Sequence, residues 1–315
     1  MSIRTFHDIE QYAAALHDVD VRVMLPQRGR AFWSIGDLAL GRLGVQHGHE
    51  GSGIICEGAS RGGGCLLAGP LRDPEALTWN GEPFDEGALV IVPARAEFCV
   101  SATRGHDWFS LFVPTDLVAT CAVFAETDPP EDDCRLIHLP AEQLARMREL
   151  IRRLAALAHL NPGLVTAEAT AALEADFLAV VRQALAAGAR RPPSLPGRPV
   201  LPRRRIVRQA LGWLEAQPGP APIEDLAGAA GVSERTLRTA FHDCFGVGPL
   251  RFLKLRQLHQ VRRALRSANP EGTTVTEVAS RFGVWEFGRF ARDYRLLFGE
   301  VPSATLHRGI AGAGG

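Results

Sequence analysis

The chain has 315 residues, 46% of them hydrophobic and 22% charged. That composition can bury a sizeable core, and it excludes a wholly disordered, collagen-like or disulfide-stapled chain. Single cores rarely grow past ~250 residues, so the length points to two domains. The 35 Lys and Arg cancel the 35 Asp and Glu, but unevenly along the chain. Between residues 203 and 308 stand 17 basic and 10 acidic residues, a balance of +7, which leaves 18 basic and 25 acidic elsewhere, a balance of −7. Lys254 is the one lysine, so nearly all of this basicity is arginine. The arginine fork bonds phosphates and guanine edges in pairs. A basic half beside an acidic half is what a polyanion-binding domain joined to a non-binding one would show.

No apolar run approaches the ~18 residues a spanning helix needs; Leu117 to Ala125 is among the longest. The opening residues, MSIRTFHDIEQY, contain no apolar core of signal-peptide length. Cysteines at 56, 65, 99, 121, 134 and 244 form no C-x-x-C pair and read as reduced thiols. A cytoplasmic protein with no membrane partner is therefore expected.

In chain order, residues 19–114 come first. Short apolar runs are broken there by turn signals at Gly41–Gly44, Gly62–Gly64, Asn80-Gly81 and Glu86-Gly87. Ala88–Pro93, Glu97–Val100 and Trp108–Val113 read as strands, and Asn80-Gly81 as a hairpin turn. Many short strands with frequent glycine turns predict an antiparallel barrel or double-sheet roll. The period then changes. Leu144, Met147, Ile151, Leu154 and Leu157 recur at three and four, as do Leu173, Phe177, Val180 and Val181. Arg146, Arg148, Glu149, Arg152 and Arg153 take the opposite face of the first helix, Asn161-Pro162-Gly163 stops it, and Thr166 caps the next. Such helices can lie on their own sheet or meet a second subunit. Five prolines between residues 188 and 202 make a semi-extended spacer.

The C-terminal region contains an internal repeat. Ile223, Leu226, Ala227, Ala230, Gly231 and Val232 recur 52 residues later as Val275, Val278, Ala279, Phe282, Gly283 and Val284. Leu237, Phe241, Phe245, Gly246 and Pro249 recur 53 residues later as Phe290, Tyr294, Phe298, Gly299 and Pro302. Each copy reads as a short helix, a turn at the glycine, and a longer helix starting near Ser233 or Glu286, which is a helix-turn-helix. Leu250 to Leu265 forms a long helix between the copies. The outward stripe of the first copy is Glu234, Arg235, Arg238, Thr239 and His242; that of the second is Phe287, Gly288, Ala291, Arg292 and Arg295. A helix fits the major groove, and residues near its N-terminal end reach base edges. Arg203, Arg204 and Arg205, with Arg262, Arg263 and Arg266, can meet phosphates. Arg256 and Arg281 can equally form surface or internal ion pairs, and Trp285 reads as a core or staple residue.

This pattern resembles the AraC/XylS family of bacterial transcription regulators over residues 204–308. The resemblance includes Gly231-Val-Ser233, Phe245-Gly-Val-Gly-Pro249 and Phe290-Ala-Arg-Asp-Tyr-Arg-Leu-Leu-Phe-Gly-Glu-Val-Pro302, and the tail is also similar to the ethanolamine-utilisation regulator branch. It implies an α+β two-domain chain: a cupin-like β-roll that binds a small effector over 1–140, dimerisation helices over 141–187, a linker over 188–202, and a DNA-binding domain over 203–315. It further implies a homodimer that activates transcription with RNA polymerase, and base-reading positions at Arg235, Arg238 and Thr239, then Phe287, Gly288, Ala291 and Arg292. No cofactor and no enzymatic activity are expected.

The rival is a metal-dependent cupin enzyme, an oxygenase or isomerase, with a DNA-binding appendage. It would rest on His47 and His49, because residues i and i+2 of a strand share a face. In metal cupins a Glu follows a few residues on and a His lies on a later strand. Here Glu50 follows at once and residues 87–100 contain no His. His47 and His49 remain weak metal candidates. No nucleophile elbow, P-loop or Rossmann fingerprint appears.

Overall fold

A computed structural model describes residues 3–29, 32–119, 134–157, 167–187, 189–190, 203–216 and 222–308. The chain divides into two compact units: Met1–Val23 with Ala31–Val200, and Met24–Arg30 with Leu201–Gly315.

The first unit opens with β1 (Ile3–Phe6), α1 (Ile9–Ala14), β2 (Val19–Met24), β3 (Trp33–Leu40) and β4 (Leu43–Glu50). It continues through β5 (Ile54–Ser60), β6 (Gly64–Arg72), β7 (Leu77–Trp79), β8 (Glu82–Pro83), β9 (Ala88–Val92) and β10 (Glu97–Ala102). Then come β11 (His106–Pro114), α2 (Thr115–Ala119), β12 (Arg135–His138), α3 (Ala141–Leu157), α4 (Ala167–Ala187) and β13 (Ala189–Arg190). The strands form an eight-stranded sheet, ordered β1-β3-β4-β11-β6-β9-β12-β13, and a five-stranded sheet, ordered β2-β5-β10-β7-β8. The double-sheet roll expected from the turn spacing is what forms. Asn80 and Gly81 join β7 to β8 with φ of 51° and 86°, the two positive angles a type I′ hairpin requires.

The large sheet has two distinct faces because side chains alternate along a strand. Leu43 and Val45 of β4 and Phe109, Leu111 and Val113 of β11 share one buried cluster with Leu144, Met147 and Ile151 of α3 and Phe177 and Val181 of α4. The two amphipathic helices therefore cover their own sheet. Each such fully buried aliphatic side chain stabilises by roughly 1.5–3 kcal/mol. Arg148 departs from the exposed stripe predicted for α3; it is half-buried, and its Nε donates to the Pro70 carbonyl at 3.1 Å. The Asn161-Pro162-Gly163 stop, the Thr166 cap, Cys121 and nearly all of the proline-rich spacer lie outside the described residues. Among the described residues, Cys56, Cys65, Cys99, Cys134 and Cys244 form no disulfide.

The second unit is helical: α5 (Arg203–Glu215), α6 (Ile223–Ala229), α7 (Glu234–Phe245), α8 (Pro249–Ser267), α9 (Val275–Arg281), α10 (Phe287–Phe298) and α11 (Pro302–Arg308). The repeat becomes two helix-turn-helix modules, α6–α7 and α9–α10, flanking α8. Gly231 and Gly283 occupy equivalent turns at φ 65° and 73°, where any other residue would carry strain. α8 buries Phe252, Leu255, Leu258, Val261 and Leu265. Phe252 stacks on Phe245 at 4.4 Å and meets Phe241 edge-on at 5.4 Å. Toward the second module, Gln257 donates to the Phe282 carbonyl at 2.9 Å, and Lys254 lies 3.6 Å from Asp293. One segment escaped the sequence reading. Met24–Arg30, between two strands of the roll, groups with the helical unit, where the Leu25 amide donates to His259 Nε2 at 3.0 Å.

Phe252 touches two aromatic partners and is fully buried. Phe252→Ala should move the urea transition of the helical unit by about 3–5 kcal/mol, the usual cost of a large aromatic cavity. A change under 1 kcal/mol would mean that α8 does not anchor the first module.

Candidate nucleic-acid interface and effector cavity

The second helix of each module has one buried and one exposed face. On α7, Leu237, Ala240, Phe241, Cys244 and Phe245 are buried. Ser233 starts the helix by accepting from the Thr236 amide at 3.2 Å. Arg235, Arg238, Thr239 and His242 are exposed. On α10, Phe290, Tyr294 and Leu297 are buried, while Gly288, Arg292 and Arg295 are exposed and Phe287 and Ala291 are half-buried. Glu286 stands at the N-cap without a capping side-chain bond. The buried Tyr294 hydroxyl donates to Thr305 Oγ1 at 2.8 Å, tying α10 to α11.

The arginines separate into two groups. Arg203 pairs with Asp243 of α7, and Arg256, buried, pairs with Glu215 at 2.7 Å. Arg262 lies over the Phe298 ring at 5.0 Å. These hold helices together. Arg238 pairs with Glu234 one turn back at 2.8 Å, a surface i,i+4 pair worth only ~0.3–0.5 kcal/mol and easily exchanged for a phosphate or base. Arg235, Arg292 and Arg295 are exposed and make no ion pair among the described residues. Arg204 is half-buried, while Arg205 and Arg263 are exposed. The Thr239 hydroxyl donates to the Arg235 carbonyl at 3.0 Å, so its oxygen keeps acceptor capacity outward.

Two residues the sequence reading passed over belong to this face. Trp285, expected in the core or as a staple, is 73% exposed in the turn before α10. Nothing in residue type alone signals that exposure. Arg289 is exposed and pairs with Glu286 at 3.5 Å.

The roll holds a separate feature. Between its two sheets lies a cavity of about 130 Å³, whose lining includes Tyr12, Gln46, Glu50, Trp79, His106 and Trp108. Glu50 and His106 face each other across β4 and β11. The Tyr12 hydroxyl donates to Glu50 Oε1 at 2.5 Å and accepts from Trp108 Nε1 at 2.9 Å. Glu50 Oε2 lies 3.6 Å from His106 Nε2 and makes no hydrogen bond. Burial raises the Glu50 carboxyl above its ordinary range, opposed by His106 and the Tyr12 hydroxyl. Leaving such a buried acceptor unmatched costs about 1–3 kcal/mol. Alternation on β4 sends Gln46 and Glu50 into this cavity and His47 and His49 to the opposite face, with Leu43 and Val45. The His47 ring rests against Gly36, where an added Cβ would stand 2.3 Å from Nε2. His49 Nδ1 pairs with Asp107 at 2.7 Å. Among the described residues no three or more His, Cys, Asp or Glu gather as a metal-holding group.

A helix-turn-helix domain family matches residues 226–308. The probable thc operon regulatory protein of Rhodococcus erythropolis is 38% identical over 115 residues, which cover 36% of this chain and 32% of that protein. The XylDLEGF operon transcriptional activator 1 of Pseudomonas putida is 41% identical over 86 residues, 27% of this chain and 26% of that one. Of the solved structures, a probable AraC family transcriptional regulator from Rhodopseudomonas palustris is 38% identical. It covers 33% of this chain and 96% of its own, with a TM-score of 0.30. The matched segment thus spans about a third or less of the length of these curated relatives.

Residues 226–308 form a tandem helix-turn-helix domain. That domain is of the AraC/XylS type, as the repeat implied; the relatives named do not single out the ethanolamine-utilisation branch.

The two groups of arginines should respond differently to alanine. Arg235→Ala and Arg292→Ala should each weaken binding to a preferred duplex by about 1–3 kcal/mol and relax its sequence preference, as removal of a base contact does. Arg205→Ala should weaken all duplexes alike and lower the salt slope by roughly 0.9. Arg203→Ala should act on stability through Asp243. Fluorescence anisotropy across a salt series reads the three binding variants, and a urea transition reads Arg203→Ala; an unchanged preference in Arg292→Ala would remove that residue from the interface.

Proposed function

We propose that the chain is a cytoplasmic, sequence-specific transcription regulator that binds double-stranded DNA through α7 and α10 and answers to a small molecule held in the β-roll. One observation carries the reading: two modules matched residue by residue expose, on equivalent faces, arginines with no ion pair among the described residues, Arg235 on α7 and Arg292 and Arg295 on α10. A polyanion supplies the missing partners. The helix ends bear the side chains that reach base edges: Arg235, Arg238 and Thr239 in the first module, Phe287, Gly288, Ala291 and Arg292 in the second, with His242 and Arg295 a turn further on. The second set is poor in hydrogen-bonding groups, so readout there rests on Arg292 and on apolar contact with thymine methyls, to which the exposed Trp285 adds surface.

The relatives, a probable operon regulatory protein and an operon transcriptional activator, support activation as the outcome. Activation brings RNA polymerase as a further partner, and a homodimer would double the two modules into four. The enzyme alternative is disfavoured by β4 itself, which turns His47 and His49 away from the cavity and commits His49 Nδ1 to Asp107.

Selection from a random duplex library with the full chain tests the proposal. It should enrich a defined motif bound at least 10³-fold more tightly than random DNA, the lower edge of specific recognition. Affinity equal for all sequences would mark a non-specific architectural protein instead.

A further inference from the structure

We infer that the cavity of the β-roll selects a compact, ring-sized apolar molecule bearing one hydrogen-bond donor, a hydroxyl or an amine, and rejects carboxylates. This rests on the reading of the first unit as the effector-binding one and gives that effector its chemistry.

Size gives the first indication, in a cavity partly open to solvent. At about 130 Å³ the cavity is near the ~150 Å³ of apolar cavities that admit benzene. Its walls, from Val19 and Ile54 to Leu66, Val92 and Phe98, offer an apolar body nothing but contact surface.

Charge sets the second. The lining contains no Lys or Arg; its ionisable side chains are Glu50, His17, His106, Tyr12 and Cys56. A ligand carboxylate would bring a second negative charge beside Glu50 with only histidine to offset it.

Hydrogen bonding sets the third. Glu50 is 4% exposed, and the Tyr12 proton is already committed to its Oε1, since that hydroxyl accepts from Trp108. Glu50 Oε2 is left as a buried acceptor with no hydrogen bond. On the other sheet, Trp79 Nε1 is a buried donor with none. A ligand hydroxyl or amine can donate to the Glu50 carboxylate, and an amine also meets its charge.

Isothermal titration calorimetry of the full chain with four one-ring probes tests this: phenol, benzylamine, toluene and benzoate. Phenol or benzylamine should bind at least tenfold more tightly than toluene and than benzoate. Glu50→Gln should cut the better donor's advantage over toluene at least fivefold. Because Glu50 also braces Tyr12, a second variant keeps the test open: Ala68→Leu, which fills the cavity from its wall, should abolish binding of phenol and benzylamine while far-UV circular dichroism stays unchanged. The inference is overturned if benzoate binds as tightly as the better donor, if none of the four probes binds, or if Ala68→Leu leaves binding intact. Benzoate binding would spare the effector-domain reading and overturn only the donor rule. Loss of sequence-specific DNA binding, measured on the same chain, would overturn the regulator reading and leave the cavity result standing.

Discussion

The helical unit depends on the apolar stripe of α8. Phe252, Leu255, Leu258, Val261 and Leu265 recur at three and four along nineteen residues, so one rod presents a continuous seam to both modules. The two ends are held differently. The first module is locked by aromatic packing among Phe241, Phe245 and Phe252. The second is fixed through polar ties, Gln257 to Phe282 and Lys254 to Asp293, and by the His259–Phe298 contact at 5.0 Å. Interior packing of this density does not deform continuously, so the outward stripes of α7 and α10 are carried on a stiff frame. A reader of DNA needs that frame, because base contacts discriminate only when their geometry is fixed in advance.

The roll solves a different problem with the same means. One sheet is asked to bury a helical layer on one face and to line a cavity on the other, and strand alternation divides the work residue by residue. On β4, Leu43 and Val45 go to the core shared with α3 and α4, and Gln46 and Glu50 go to the cavity. Glu50 is the residue at which this division matters most. Set in an apolar interior, its carboxylate is tolerable only because Tyr12, Trp108 and His106 surround it, and even so one oxygen makes no hydrogen bond among the described residues. Natural sequences keep such local costs where function uses them.

Much of this was legible in the chain itself. The repeat marked the modules and their turns, because a glycine at a turn has a direct backbone cause; Ser233 caps α7, while Glu286 starts α10 without a capping bond. Strands and hairpins of the roll followed from turn residues for the same reason. What stayed illegible was tertiary. The wall that His47 and His49 occupy depends on which face of β4 the helices cover, and the Glu50–His106 pair joins residues 56 positions apart through sheet register. Trp285 reads as a core residue by type, yet it is placed by a turn. The contacts of Leu25 and Pro26 with His259 and Arg251 have no periodic signature at all. Among the charges, Arg256 and Arg203 carry the same sequence signal as Arg292; burial and Glu215 set Arg256 apart, and the Asp243 carboxylate alone sets the exposed Arg203 apart.

Both modules must engage DNA together for this account to hold. Methylation interference on a bound duplex, scored guanine by guanine in the major groove, measures that directly. The account predicts two interfering clusters on one face of the duplex, about 10 base pairs apart, one for each module, with the cluster of the second module lost in Arg292→Ala. A single cluster, or interference confined to minor-groove adenines, would contradict it.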